Sequence, residues 1–345
     1  MISGNSSVNT LSGDAGNDTL LGGAGNDTLS GGVGDDRMFG DAGADALNGG
    51  AGNDLLVAGS GLTQTSSGAD NDVDTLTGGA GNDLYLIDVG DVVVEATNEG
   101  TDTVGSLATV SIATFANVET VGLLGSASAN ATGNTGDNTI GGNVGGNTLT
   151  GDTGNDVMFG DVSFNIVTLQ IEAATTGAAD TLLGGQGNDV LLGGFGNDTL
   201  TGGTGADAFV FGSGLLTGIS LTTNGALAAG RFDGGRAFNA ADLGVDTIDF
   251  TPNQTDRIVL SRATFTALTP QQPTQGVAPL SQSDFTIVTN DSAVATSTGA
   301  IVYNSSNGRL FYNQDRASAG EGVQFATLTG NPTLTATGSS FVVLG

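Results

Sequence analysis

Aspartate recurs in this chain at a spacing that suggests one kind of chemistry. Asp18, Asp27, Asp36, Asp45 and Asp54 stand nine residues apart without a break. The same interval returns at Asp74 and Asp83, and the pattern resumes at Asp156 and at Asp180, Asp189, Asp198 and Asp207. Most of these residues follow a glycine by two places. Glycine lets the backbone curl so that its carbonyls turn toward a common point, and a short carboxylate beside them makes an all-oxygen environment. Hard oxygen donors suit calcium.

The composition agrees by exclusion. The chain has 345 residues, 60 of them Gly, and it has no His, Cys, Trp or Lys, so its seven basic side chains are all Arg. Catalysis by Ser-His pairs, His or Cys metal ligation, disulfides, Schiff bases and a phosphate-loop lysine are all excluded. A formal charge of -29 argues against nucleic acid or an anionic membrane as partner and leaves hard cations as the natural one. No 18-residue apolar run exists, so no membrane span is expected. The start of the sequence carries neither a basic nor an apolar stretch of the kind a cleavable secretion signal needs.

The aspartates belong to a nine-residue repeat. In register, residues 13 to 57 read GDAGNDTLL, GGAGNDTLS, GGVGDDRMF, GDAGADALN and GGAGNDLLV, after a degenerate GNSSVNTLS at 4 to 12. The frame resumes as ADNDVDTLT and GGAGNDLYL at 69 to 86, and as GNTGDNTIG, GNVGGNTLT and GDTGNDVMF at 133 to 159. A last block, TTGAADTLL, GGQGNDVLL, GGFGNDTLT and GGTGADAFV, ends at Val210. Asp holds the sixth place. A large apolar residue holds the eighth, among them Leu20, Leu29, Met38, Leu56, Tyr85, Leu149, Leu191 and Phe209, and one apolar residue between two outward ones predicts a short strand with one inward side chain.

These units resemble the glycine- and aspartate-rich nonapeptide of RTX (repeats-in-toxin) haemolysin-type calcium-binding proteins, GGxGxDxUx with U large and apolar. The resemblance implies an all-β fold: a right-handed parallel β-roll or β-helix with two nonapeptides per coil, calcium ions in rows along its edges, and a C-terminal β-rich capping domain. It further implies that sixth-place aspartates eighteen residues apart share an ion, with backbone carbonyls completing each shell. That pairs Asp18 with Asp36, Asp36 with Asp54, Asp27 with Asp45, Asp180 with Asp198 and Asp189 with Asp207. Asn9, Asn138 and Asn147 replace the carboxylate with an amide, and weak or empty sites are expected at the Asn-bearing repeats between 133 and 150.

Other readings of the same residues are less favoured. Asp70, Asp72 and Asp74 mimic the start of an EF-hand loop, but Thr75 stands where Gly is needed and Gly81 where the bidentate Glu belongs. No Gly-x-Gly acquires the third glycine of a dinucleotide fingerprint. Threonine at the seventh place is ordinary for the outward face of a strand.

The expected organisation is a first repeat block at 1–86 with a loop insert at 58–68, then calcium-free coils over 87–132. These would be wider coils that continue the stack on hydrophobic packing. A second block spans 133–210, with an insert at 160–174 read as a protruding strand or short helix. The region 211–345 is a β-rich cap: all five Pro and six of the seven Arg fall there, and Asn307-Gly308 reads as a hairpin turn. Residues 244–261 resemble the capping segment that follows RTX arrays. Ser340 to Leu344 resembles the apolar C-terminus of type I secretion substrates.

A function can then be expected. A secreted structural protein of the cell surface or matrix, such as an S-layer, filament or matrix subunit, would fold on calcium outside the cell and associate with itself through the open strand edges of an uncapped roll end. The type I secretion machinery is the partner this implies. The alternatives are the secretion module of an exoenzyme or toxin, or an adhesin that binds a surface glycan. No HExxH or GxSxG is present, and a glycosidase pair such as Glu95 and Glu119 is better read as structural, so no enzyme is expected.

Overall fold

The computed structural model describes residues 1–59, 72–165, 170–212, 215–221, 227–233, 244–251, 256–269, 277–316, 322–334 and 340–344. Its contacts divide the chain into two compact units, 1–143 with 163–170, and 144–162 with 171–345.

In the first unit successive nonapeptides alternate between two parallel sheets. One sheet runs in the order Ile2–Ser3, Thr19–Ala24, Arg37–Ala42, Leu55–Val57, Leu84–Ile87, Thr103–Ser106, Thr120–Leu123 and Thr139–Gly141. The other takes the intervening strands Thr10–Ser12, Thr28–Val33, Ala46–Ala51, Thr75–Ala80 and Val92–Val94. The registers Thr19↔Arg37 and Thr28↔Ala46 place each residue over the one eighteen positions on. Two nonapeptides therefore make one coil of a parallel β-roll.

The period-two alternation of a strand explains the repeat. In Thr28–Val33 the inward residues are Leu29 and Gly31, both buried, and their neighbours point outward. The strand thus has two inward positions rather than the single one expected. The second belongs to the first-place glycine of the next nonapeptide, which has no side chain to show in a pattern of apolar residues. Leu20, Leu29, Met38, Leu56, Leu76 and Tyr85 form a core one residue thick, each with no exposed surface. At the turns the second- and fourth-place glycines carry positive φ, as at Gly23 (106°) and Gly25 (111°). Asp41 takes the same second place with φ 70°, a conformation Asp tolerates better than most residues.

Past Ile87 the glycine pattern lapses while the parallel coils continue. Leu84 pairs with Thr103, Thr103 with Thr120 and Thr120 with Thr139. On this sheet the offsets are 19, 17 and 19 residues, close to the repeat coils, while on the other Val110↔Ala131 is offset by 21, so one coil is wider by three residues. Leu55↔Leu84 is offset by 29. Eleven extra residues leave the coil between them without disturbing its register. Most of the insert expected at 58–68, and Asp70 with it, lies outside the described residues.

The second unit repeats the plan. Val157–Phe159, Val190–Leu192, Ala208–Phe211, Arg257–Ser261 and Phe341–Leu344 form one parallel series, edged by antiparallel Val277–Pro279. Thr148–Thr153, Thr181–Gln186, Thr199–Thr204, Asp246–Asp249 and Val323–Leu328 form the other. Antiparallel Arg309–Tyr312 and Ile301–Asn304 continue that second sheet, with Phe285–Val288 at its end. Leu149↔Leu182 is offset by 33, so fifteen residues leave the coil there. Within that excursion Val162–Asn165 and Gln170–Ala173 are strands, not a helix.

The parallel ladder does not stop at Val210, where the composition changes. Thr199↔Thr247 and Ala208↔Arg257 carry it onward, because Asp246-Thr247-Ile248 and Asp256-Arg257-Ile258 keep the local Asp-x-apolar pattern of the repeats. Large side chains close the core beyond these strands: Phe325 packs edge-on against Phe211 and Phe265 at 5.1 and 5.2 Å, and Phe265 against Tyr312 at 5.1 Å. Ile301↔Tyr312 and Asn304↔Arg309 form the hairpin read at Asn307-Gly308, where Gly308 has φ 75°. Among the described residues no helix is long and apolar enough to cross a membrane.

Candidate metal centre

Each sixth-place aspartate sits at the start of a strand, so the stacking of strands stacks the carboxylates. The backbone N–H of Asp18 donates to Oδ1 of Asp36 at 2.7 Å, Asp27 to Asp45 at 2.6 Å and Asp36 to Asp54 at 2.7 Å. Across the eleven-residue excursion Asp45 donates to Asp74 and Asp54 to Asp83, both at 2.7 Å. The second unit does the same. Asp156 donates to Asp189 at 2.8 Å, and Asp180 to Asp198 and Asp189 to Asp207 at 2.9 Å. All twelve predicted aspartates lie in these ladders, and the expected eighteen-residue pairs are neighbours in them. All but the half-buried Asp18 are buried.

Only one carboxylate oxygen is used in this way. Oδ2 of Asp27, Asp36, Asp54, Asp83, Asp180, Asp198 and Asp207 is buried and accepts no hydrogen bond. Its surroundings show why. A Cβ built on Gly22 would lie 2.8 Å from Asp27 Oδ2 and 2.5 Å from the carbonyl oxygen of Gly40. On Gly40 it would meet Asp45 Oδ2 at 2.6 Å and the Ala58 carbonyl at 2.5 Å. The same convergence of a carboxylate and a carbonyl occurs at Gly31, Gly49, Gly151 and Gly184. First-place glycine is thus required for the space beside its Cα, where a carboxylate oxygen and a carbonyl oxygen, both acceptors, converge. A buried carboxylate facing a carbonyl is costly unless a cation lies between. An all-oxygen donor set of this kind fits calcium.

The asparagine-bearing repeats supply the contrast. Asn134 Nδ2 donates to the carbonyls of Phe115 and Val118 at 3.0 and 2.8 Å, and Asn138 Nδ2 to Val118 at 3.2 Å. Asn143 Nδ2 reaches Leu124 and Ala127 in the same way. An amide brings its own donor to the carbonyls here, whereas sixth-place Asn9 and Asn147 stay in the ladders, their N–H groups donating to Oδ1 of Asp27 and Asp180 at 2.6 and 2.7 Å.

Sequence reading missed several members of the ladders. Asp74 donates to Asp91 Oδ1 at 3.0 Å, Asp83 to Asp102 Oδ1 at 2.9 Å, and Asp102 to Glu119 Oε2 at 2.8 Å. Asp198 and Asp207 donate to Asp246 and Asp256 at 3.0 and 3.1 Å. A signal was present: each of these acids is followed two residues later by a buried apolar residue, as in Asp102-Thr103-Val104 and Glu119-Thr120-Val121. Gly100 and Gly244 even keep the glycine two places before Asp102 and Asp246, but without the paired first- and second-place glycines these segments do not read as nonapeptides. Glu119 therefore holds a structural place in the ladder.

Burial sets the proton affinity of these groups. Desolvation, partly offset by the ladder N–H and reinforced by neighbouring carboxylates, pushes Asp54 up to about 6, Asp83 to about 7 and Asp180 to about 8. Asp198 rises to about 7 and Asp207 to about 6, again chiefly by desolvation. A carboxyl whose folded pKa lies above its unfolded one binds protons more tightly when folded. In chelator, acidification from about pH 8 to about pH 5 is therefore expected to raise the folded fraction. In the presence of calcium the same acidification raises the concentration needed for folding, because the ion must displace those protons. Circular dichroism at the two pH values checks both signs, and a chelated chain that loses structure in acid contradicts them.

Parallel two-strand coils with stacked, half-satisfied aspartates define a calcium-binding β-roll protein. The family model for RTX calcium-binding nonapeptide repeats, in four copies, matches residues 3–38, 30–62, 68–86, 132–167 and 175–209. These segments are RTX repeats, which bind multiple calcium ions. No curated protein gave a significant match to the chain.

Proposed function

We propose that this chain is a secreted structural protein of the cell surface or extracellular matrix, an S-layer, filament or matrix subunit that folds and assembles on calcium. The observation that carries the reading is the run of buried aspartate Oδ2 atoms facing carbonyl oxygens, a fold that calcium completes. Asp18, Asp27, Asp36, Asp45, Asp54, Asp74, Asp83, Asp156, Asp180, Asp189, Asp198 and Asp207 hold the ions through their carboxylates, together with carbonyls such as those of Gly40, Gly49 and Gly184. At the low calcium of a cytosol the chain stays open for export by a type I system. At the millimolar calcium outside it closes, in the range expected of extracellular modules. Absence of His, Lys and Cys from the sequence supports a structural rather than a catalytic role.

Self-association has a surface to use. Val92–Val94 ends its sheet within the first unit, and Val92 and Val94 are exposed on it, with Val73 and Val89 exposed nearby. An edge strand with outward valines is a template for another chain. Light scattering and negative-stain microscopy during a calcium titration test the reading. Ordered assemblies are expected with calcium and none in chelator, and a Val92→Lys/Val94→Lys variant is expected to fold but stay dispersed. A wild-type chain that folds and remains monomeric at high concentration would turn the reading to a secretion module or a glycan-binding adhesin.

A further inference from the structure

We infer that Asp83, Glu95 and Asp102 form a further calcium site, outside the nonapeptide pattern, that ends the first aspartate row. It rests on calcium being the resident ion of the repeats. One carboxylate oxygen from each of the three lies within 4.8 Å of the others. Calcium–oxygen bonds of about 2.3–2.6 Å put oxygens on opposite sides of one ion about 5 Å apart, so a single ion can reach all three. Asp83 and Asp102 are 2% and 1% exposed, and both Glu95 oxygens are out of contact with solvent. Asp83 Oδ2 accepts no hydrogen bond, and the hydroxyl of fully buried Tyr85, also without a partner, converges with it beside Gly78.

Register explains what Glu95 is doing there. In the repeats each aspartate Oδ2 faces the carbonyl of the first-place residue one coil further on, as Asp54 faces Gly78 beside Gly49. Strand Val92–Val94 lies over Thr75–Thr77, so Glu95 is the residue that stacks next, over Gly78. It occupies the first place of the coil that should serve Asp83. Its carbonyl, however, accepts from Asn117 Nδ2 at 3.1 Å, and Asn117 comes from the coils that lack the glycine pattern. The Glu95 side chain supplies a carboxylate instead. Asp102 lies under strand Thr103–Ser106 in register with Leu84–Ile87, and its Oδ1 already holds the Asp83 N–H. Three carboxylates where the repeats use fewer favour tight binding, because ligand charge tunes calcium affinity. The coils next to the repeats are then joined to them by an ion rather than by apolar packing alone.

The test is a count of calcium ions per folded chain by native mass spectrometry, with affinities by calorimetry, for the wild type, Glu95→Gln and the exposed control Asp137→Asn. The expected result is one ion fewer in Glu95→Gln, or one site weakened by at least about tenfold, with the control unchanged. In chelator Glu95→Gln is expected to be no less stable than the wild type, since it removes a repelling charge. Equal ion counts and equal affinities in wild type and Glu95→Gln would overturn the site. If Glu95→Gln does not fold at any calcium concentration, Glu95→Asp decides. The retracted carboxylate is expected to weaken one site by a similar factor, and wild-type affinity would overturn the proposal. A wild type that takes up no calcium at all would instead overturn the calcium reading of the repeats.

Discussion

Stripped of calcium by a chelator at neutral pH, the chain is expected to lose most of its β structure and to recover it when calcium is restored. The core explains why the loss should be near complete rather than local. In the repeat coils strands such as Thr28–Val33 and Arg37–Ala42 contribute one full-sized inward side chain, Leu29 or Met38, and the other inward place is glycine. Apolar burial per residue is therefore thin, while every residue fixed costs about 1–2 kcal/mol of backbone entropy. Against that thin core stand rows of buried carboxylates whose desolvation costs several kcal/mol each when uncompensated. An ion at each cradle reverses the balance, and its binding energy becomes folding energy. Far-ultraviolet circular dichroism through a calcium titration reads the effect directly. A chain that keeps its strand signal in excess chelator would show that packing alone suffices.

A single methyl group is expected to do comparable damage at one coil. Gly40→Ala places a Cβ against Asp45 Oδ2 and the Ala58 carbonyl, at 2.6 and 2.5 Å. Gly40 is not among the residues with positive φ, so the backbone itself can accept alanine and the effect isolates the cradle. Overpacking of this kind costs about 1–3 kcal/mol. Loss of the ion that the two oxygens would hold adds to it, and the calcium midpoint for folding should rise. Ser30→Ala, at an exposed place of a neighbouring strand, should leave the midpoint where it was. Matching midpoints for Gly40→Ala and the wild type would mean that the space beside Gly40 is not where calcium binds.

Much of this was legible in the sequence because the repeat writes the coil out residue by residue. Aspartate at the sixth place and an apolar residue at the eighth led to parallel strands in an eighteen-residue register, and to the twelve carboxylates the ladders bring together. The features that escaped did so for a physical reason. Glycine draws attention at a turn, yet the first-place glycine, as at Gly22 and Gly40, is needed for the room beside it, which only the stacked coil reveals. Asp102 and Asp246 keep the apolar residue and the glycine two places before the aspartate, Gly100 and Gly244, but lose the first- and second-place glycines, and Asp256 loses them all, so their membership depends on strand pairing rather than on composition. Glu95 is legible only once its strand has been set over Thr75–Thr77.

Three of the long excursions share a rule. After Val57, after Phe159 and after Phe211 the chain leaves the coil, and it returns at Asp74 and Asp180, each immediately before a strand, and at Asp246, the first residue of one. The opposite corner is held to a few residues throughout the repeats, as between Val33 and Arg37 or Ala51 and Leu55. Insertions of eleven and fifteen residues shift no pairing on either side, and loop closure grows only logarithmically with length. One corner of the coil is thus reserved for structure and the other is open to variation. In each unit new loops can be grafted along the permissive corner without redesigning the stack beneath, as pegs are added along one rail of a rack.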